Sequence, residues 1–246
     1  MTVIRWLGQA CFLLMTLGGA HILIDPPAPP IGYHIAAHSI PADLVMVSHE
    51  HSDHNFVQAA APTGRAEPKI IAPLPLQALS PLHYKQETYS FGAGSLAADR
   101  VVFTRIPAYH DTVRGQERGQ DTLSVVETGG LRIAHLGDIG ELALTPEQVS
   151  ALGRIDVLML PVGGYFTVDG SQAAALVAQL HPRVVIPMHY RTQALTPELK
   201  KKLAPVDAFL LAMRGKANVV HVAARDLQLS PATLPKTTTI YVLRYK

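Results

Sequence analysis

Three imidazoles and the Asp53 carboxylate fall within the six residues His49 to His54, in the stretch Ser48-His49-Glu50-His51-Ser52-Asp53-His54. Residues two apart point the same way on an extended segment, whereas on a helix they do not face each other. The stretch is therefore predicted to be an irregular loop in which His49 and His51 converge on one metal ion while Asp53 and His54 turn to a second. Imidazole and carboxylate together suit borderline divalent ions such as zinc, manganese or iron. Leu44 to Val47, immediately upstream, is a continuous apolar run of the kind that forms a strand buried on both faces. The loop then leaves the C-terminal end of that strand, where open α/β sheets bind ligands.

Other ligand-type side chains share this placement. Val3 to Leu7, Ala10 to Thr16 and Ala20 to Ile24 read as a meander of three strands, and Asp25 ends the third before Pro26-Pro27. Arg100 to Ile106 is predicted as a strand stopping at Pro107, with His110 just beyond. Thr122 to Thr128 and Leu131 to Leu136 alternate around Gly129-Gly130, a strong hairpin signal, and the second arm runs into Gly137-Asp138. A strand at Arg183 to Ile186 leads to Pro187-Met188-His189. Further strands are expected at Lys69 to Ala72, Val157 to Leu160, Asn218 to Val222 and Ile240 to Arg244. Helices are expected at Asn55 to Ala61 and Ser171 to Leu180, and from the capped starts Thr145-Pro146-Glu147 and Thr196-Pro197-Glu198. Leu74 to Tyr89 is ambiguous because Pro75 and Pro81 limit any helix. Strands first, then strand and helix alternating, suit two sheets with helices outside.

Composition narrows the function classes. A chain of 246 residues with 48% hydrophobic and 16% charged residues buries a large core, and without a linker it is read as one domain over 1–246. Net charge is +2, and the tight basic run Lys200-Lys201-Lys202 sits in a polar helical stretch, which argues against a nucleic-acid partner. No apolar stretch reaches the ~18 residues of a membrane span, and no signal-type segment opens the chain. The lone Cys11, flanked by apolar residues, fits a reducing, cytoplasmic compartment. The long loop 26–41, with five prolines, is a candidate lid or binding loop, which makes Tyr33, His34 and His38 candidate substrate contacts.

The segments W-L-G-Q-A-C-F-L from Trp6, I-L-I-D-P ending at Pro26, S-H-E-H-S-D-H, H-L-G-D, L-P-V-G-G-Y-F-T-V-D and V-V-I-P-M-H-Y together resemble the metallo-β-lactamase fold superfamily. The outer segments look most like the branch of L-ascorbate-6-phosphate lactonase and related metal-dependent hydrolases. The resemblance implies a four-layer αβ/βα sandwich of α/β class with a two-metal site at one edge. His49, His51 and His110 would hold one metal, Asp53, His54 and His189 the other, with Asp138 bridging them and Asp25 supporting the loop. The expected cofactors are two divalent ions, zinc or manganese, with iron also admitted by the donor set.

The function implied is hydrolysis of a small ester, lactone or phosphoester by a metal-bridging hydroxide, with Asp53 and Asp138 as catalytic residues. Two alternatives stand beside it: a mononuclear-iron thiol or persulfide oxidoreductase of the same fold, and a non-catalytic metal-binding scaffold. Flavodiiron chemistry is disfavoured because that subgroup carries glutamate where His51 stands. The substrate is expected to be a small, anionic molecule. Tyr165, Thr167, Tyr190 and Arg191, beside Gly163, Gly164 and Asp169, are further candidate contacts, and Arg114, Arg118 or Arg191 would suit an anionic group. The last strand candidate leaves a homo-oligomer open.

Overall fold

The structure is a computed structural model that describes residues 1–75, 82–91 and 99–245. The strands of the first part of the chain are β1 (Thr2–Gly8), β2 (Cys11–Met15), β3 (His21–Ile24), β4 (Ile40–Pro41), β5 (Leu44–Met46), β6 (Ala60–Ala61) and β7 (Lys69–Ile71), with short 3-10 turns at Pro29–Ile31 and Val57–Ala59. Four more strands follow, β8 (Lys85–Phe91), β9 (Asp99–Tyr109), β10 (Gln120–Thr128) and β11 (Leu131–His135). Helices then alternate with strands: α1 (Pro146–Leu152), β12 (Val157–Pro161), α2 (Gly170–Leu180), β13 (Val184–Met188), α3 (Pro197–Lys202) and α4 (Asp207–Ala212). The chain closes with β14 (Asn218–His221), β15 (Asp226–Leu229) and β16 (Thr239–Val242). Among the described residues no helix is long and apolar enough to cross a membrane.

Two sheets result, ordered β15-β1-β2-β3-β5-β7 and β14-β16-β13-β12-β11-β10-β9-β8, with β4 and β6 as a small parallel pair. Period-2 alternation decides which way each residue of the first sheet faces. Ile4, Trp6, Phe12, Leu14, Ile22, Ile24, Leu44 and Met46 enter one large core with Phe103, Leu123, Val125 and Ile133 of the second sheet. The residues between them, Cys11, Leu13, Leu23 and Val45, face outward to Ile35, Ala42, Ala59 and Ala60. Each large side chain so buried contributes roughly 1.5–3 kcal/mol, so this shared interior is what holds one sheet on the other. The architecture is the mixed α/β class expected.

Local details depart from expectation where tertiary pairing overrides sequence signals. Asn55 to Ala61 forms a 3-10 turn at Val57–Ala59 followed by β6, not an α-helix. Its main chain is taken up by the 26–43 loop, since Gln58, Ala59 and Ala61 carbonyls accept from His38, Ser39 and Ala42. Among the described residues before Pro146 there is no α-helix, and the outer face of the first sheet is covered by this loop layer. Prolines do not end β9 and β13: Pro107 pairs with Thr122, and Pro187 with Leu160. Both are tolerated because the neighbour on the other side stops short, β8 at Arg105 and β16 at Val185, so the missing N–H costs no ladder bond. Of the ambiguous stretch 74–89, residues 76–81 lie outside the described residues, and Lys85 onward is strand β8.

Candidate metal centre

Every presumed ligand leaves the C-terminal end of a strand at the same rim of the two sheets. The His49 to His54 loop follows β5, His110 follows β9, Asp138 follows β11 and His189 follows β13. Gln9, Asp25 and His189 hold left-handed backbones with φ of 51°, 45° and 50°. Such conformations cost about 1–3 kcal/mol each and persist where surrounding structure imposes them, commonly at functional sites. At His189 the main-chain N–H is bonded to the Gln9 carbonyl at 3.1 Å. Gly163 lies against the same backbone, and any Cβ there would overlap the His189 carbonyl.

Two ligand groups are brought together. Atoms of His49, His51 and His110 lie within 4.8 Å of one another, as do those of Asp53, His54, Asp138 and His189. Asp138 Oδ2 stands between the groups. It is 3.3 Å from His110 Nε2 and 4.0 Å from His49 Nε2 on one side, and 3.2 Å from both His54 Nε2 and His189 Nε2 on the other. The buried His49 Nε2, His54 Nε2, His189 Nε2 and Asp138 Oδ1 have no hydrogen-bond partner. Buried polar atoms without partners are costly, so these atoms fit a centre that binds cations. The donor set, imidazole and carboxylate, is the one zinc, manganese and iron accept.

A layer of hydrogen bonds aims these ligands. Fully buried Asp25 accepts from Ser48 N at 2.7 Å, Ser48 Oγ at 2.6 Å and His54 Nδ1 at 2.9 Å. Because Ser48 Oγ donates to Asp25, it accepts from His49 Nδ1 at 2.9 Å. Both rings thereby present Nε2 to the centre, the orientation that outer partners of metal ligands commonly impose. Two further residues, Gln9 and Asp121, support the ligands without any local sequence pattern that marks them. Gln9 Nε2 donates to Asp53 Oδ2 at 3.0 Å, and buried Asp121 faces His49 Nδ1 at 3.5 Å with no other partner for its carboxylate. The signals for them were indirect. Gln9 lies in the turn between β1 and β2, and Asp121 requires glycine at position 137, where a Cβ would overlap its carboxylate.

Electrostatics follow from this crowding. Burial would raise the Asp138 carboxyl, but the neighbouring His189, His54 and His110 imidazoles hold it well below its usual value. Burial would lower His189, but Asp138 and Asp53 push it up to about 9. The same carboxylates raise His54 against its burial, and Asp138 with Asp121 raises His110. A raised imidazole adds stability that is complete below its unfolded value of 6.5 and is lost as pH climbs through its folded value. Chelator-treated protein is therefore expected to lose thermal stability between about pH 6.5 and 9. Metal-loaded protein should hold or gain over that window, because binding needs deprotonated imidazoles. Parallel unfolding curves for the two preparations across the window would contradict this account.

Beside the ligands lies a cavity of about 360 Å³, lined by Ile31, His51, Asp53, His110, Glu117, Arg118, Asp138, Phe166 and Leu199. Most of the candidate substrate contacts stand elsewhere. Tyr33 is buried with its hydroxyl on Thr192 Oγ1, and Tyr190 is buried with its ring stacked 5.3 Å from Trp6. His34, Tyr165 and Arg191 are exposed outside the cavity lining, Thr167 Oγ1 donates to the Val168 carbonyl, and Asp169 caps α2. Of the three arginines, Arg118 reaches the cavity, whereas Arg114 lines a different surface hollow. A place in the long 26–41 loop or beside a ligand in sequence does not say which way a side chain packs. Packing against Trp6 and Gly8 decided where the tyrosine rings went.

Two packed sheets with paired His and Asp groups at one rim define a metallo-β-lactamase type of protein. Residues 3–189 match the family described as the beta-lactamase superfamily domain. A UPF0173 metal-dependent hydrolase of Thermococcus kodakarensis is 35% identical, covering 82% of this chain and 92% of that protein. One of Anaeromyxobacter dehalogenans is 30% identical, covering 89% of this chain and 83% of that protein. Among solved structures, a candidate Zn-dependent hydrolase of the metallo-β-lactamase superfamily from Thermotoga maritima superposes with a TM-score of 0.66 at 28% identity, covering 99% of this chain and 100% of that one. The chain belongs to the UPF0173 metal-dependent hydrolases of the metallo-β-lactamase superfamily. That membership is set at the level of the family and does not reach the lactonase branch.

Proposed function

We propose that this chain is a dinuclear metal-dependent hydrolase of a small ester, lactone or phosphoester. The observation that carries the reading is Asp138 Oδ2 placed between His49 and His110 on one side and His54 and His189 on the other. His49, His51 and His110 would hold one ion, Asp53, His54 and His189 the second, with Asp138 shared. Divalent ions held there supply a lowered pKa for water, toward 7, and polarise the oxygen of the bond under attack.

The chain's own residues do the rest. The Asp25, Ser48 and His54 bonds keep the rings in one tautomer and one orientation. Asp53 is half-buried in the cavity lining, and Gln9 fixes one of its oxygens, which leaves the ionised carboxylate positioned to take the proton released by the attacking water and pass that proton to the leaving group. The apolar wall of Ile31, Phe166 and Leu199 limits water beside the reacting bond.

Elemental analysis of purified protein tests the reading, together with assays of esters, lactones and phosphodiesters under zinc and under manganese. About two ions per chain and turnover of one substrate class are expected. One tightly held iron with thiol or persulfide oxidation would replace the reading with redox chemistry, and two ions with no turnover would leave a scaffold.

A further inference from the structure

Ile31, Phe166 and Leu199 reach the cavity from three separate elements: a 3-10 turn at Pro29–Ile31, the loop after β12, and α3. Behind them Tyr33, Leu195 and Leu203 form a small buried cluster separate from the main core. Main-chain bonds tie the three elements together, Thr196 N to the Ile31 carbonyl at 3.2 Å and Ala204 N to the Gly163 carbonyl at 2.8 Å. The Phe166 ring also sits edge-on to His189, 6.4 Å between centroids, and Lys202 Nζ lies 5.4 Å over its ring. An apolar wall so held is formed before any ligand arrives, and it is continuous with the metal-binding floor.

The charges of the cavity point the same way. Glu117, Asp53 and Asp138 bring carboxylates to it, and Arg118 is the one lysine or arginine in its lining among the described residues. That guanidinium is already engaged: Nη2 donates to the Tyr165 carbonyl at 3.0 Å, and Nη1 stands 3.4 Å from Glu117 Oε2. Within the lining, a phosphate or carboxylate remote from the reacting bond would meet apolar surface or a committed arginine, since Lys202 stands outside the lining with its ammonium over the Tyr165 and Phe166 rings, and burying the anion without a partner is costly.

We propose that the substrate carries an uncharged, apolar substituent, an acyl chain or aryl ring, that packs on Ile31, Phe166 and Leu199 while its scissile bond faces His51, Asp53 and Asp138. The proposal rests on the hydrolase reading and narrows it. It turns the expectation of an anionic substrate around, and it disfavours a lactone bearing a distant phosphate. A cavity of about 360 Å³ is small for a ligand site, so a short chain or a single ring fits.

The test uses the full chain loaded with zinc and, separately, with manganese. Across 4-nitrophenyl acetate, butyrate and hexanoate, kcat/KM is expected to rise about threefold to fourfold per methylene buried. An ester ending in a carboxylate should be at least tenfold poorer than its methyl-ended counterpart. Phe166→Ala and Leu199→Ala should flatten the series, chiefly through KM, and Phe166→Leu should restore most of the slope. A flat series in the wild-type protein, or preference for the carboxylate-ended ester, overturns the inference. Calorimetric binding of hexanoate against acetate reads the wall without turnover, and hexanoate is expected to bind at least tenfold tighter. If that preference holds while no ester, lactone or phosphodiester is cleaved, the hydrolase reading fails and the wall stands. Turnover with equal binding of the two acids does the reverse.

Discussion

Asp138→Ala is expected to lower kcat/KM for any hydrolysed substrate by about 10³-fold or more, equivalent to about 4 kcal/mol of barrier, and to reduce bound metal below two ions per chain. The size of the effect follows from where the carboxylate sits. Its Oδ2 is within 3.3 Å of His54, His110 and His189, so its removal takes a negative charge from both ligand groups at once. The same charge raises the three imidazoles. The variant should therefore also lose most of the fall in metal-free stability between about pH 6.5 and 9. Activity assays, elemental analysis and pH-dependent unfolding read these three consequences separately. A variant that keeps two ions and activity within tenfold would remove Asp138 from the centre of the mechanism.

Asp25→Ala should destabilise the protein by about 3–5 kcal/mol, the cost typical of removing one partner from a buried hydrogen-bonded charge. Asp25 is fully buried and accepts three hydrogen bonds, from Ser48 N, Ser48 Oγ and His54 Nδ1. Alanine would also strain the left-handed backbone at φ 45°, which asparagine tolerates. Asp25→Asn thus separates the two roles. It preserves the turn but places an amide where His54 and Ser48 need an acceptor, so folding should suffer less while metal affinity falls about 10- to 100-fold. Denaturant titration and chelator competition measure the two effects. If Asp25→Asn bound metal as tightly as the wild type, Asp25 would be a turn residue and no more.

The ligand-rich loop was legible because its chemistry is local. Spacing alone separates His49 and His51 from Asp53 and His54, and the apolar run Leu44 to Val47 marks the strand that delivers them. The Gly129-Gly130 hairpin was equally readable, since both glycines adopt positive φ of 57° and 76° in a two-residue turn that favours such residues. The capped starts of α1 and α3 were legible for the same reason: Thr145 and Thr196 satisfy N–H groups three residues on. The extents of β9 and β13 were not. Whether Pro107 and Pro187 end a strand depends on how far the neighbouring strand runs, and the sequence around the proline is silent on that.

Substrate contacts divided along the same line. Tyr33, in the long 26–41 loop, and Tyr190, next to His189, have the chemistry of binding residues, yet both rings pack inward, while Ile31, Phe166 and Leu199 line the cavity. β15 pairs with β1 across the whole length of the chain, with Asp226 opposite Arg5, a register that no local pattern announces. By itself the sequence determined the kind of chemistry, imidazole and carboxylate side chains able to bind metal at strand ends, because side-chain type and short-range spacing are written in it. The family resemblance also placed Asp138 between the two groups and Asp25 behind the loop, but only the tertiary structure decided which atoms they meet, that Asp121 backs the His49 ring, and that the cavity wall is apolar. Those relations join residues tens to hundreds of positions apart, and sheet register and core packing alone bring them within bonding distance.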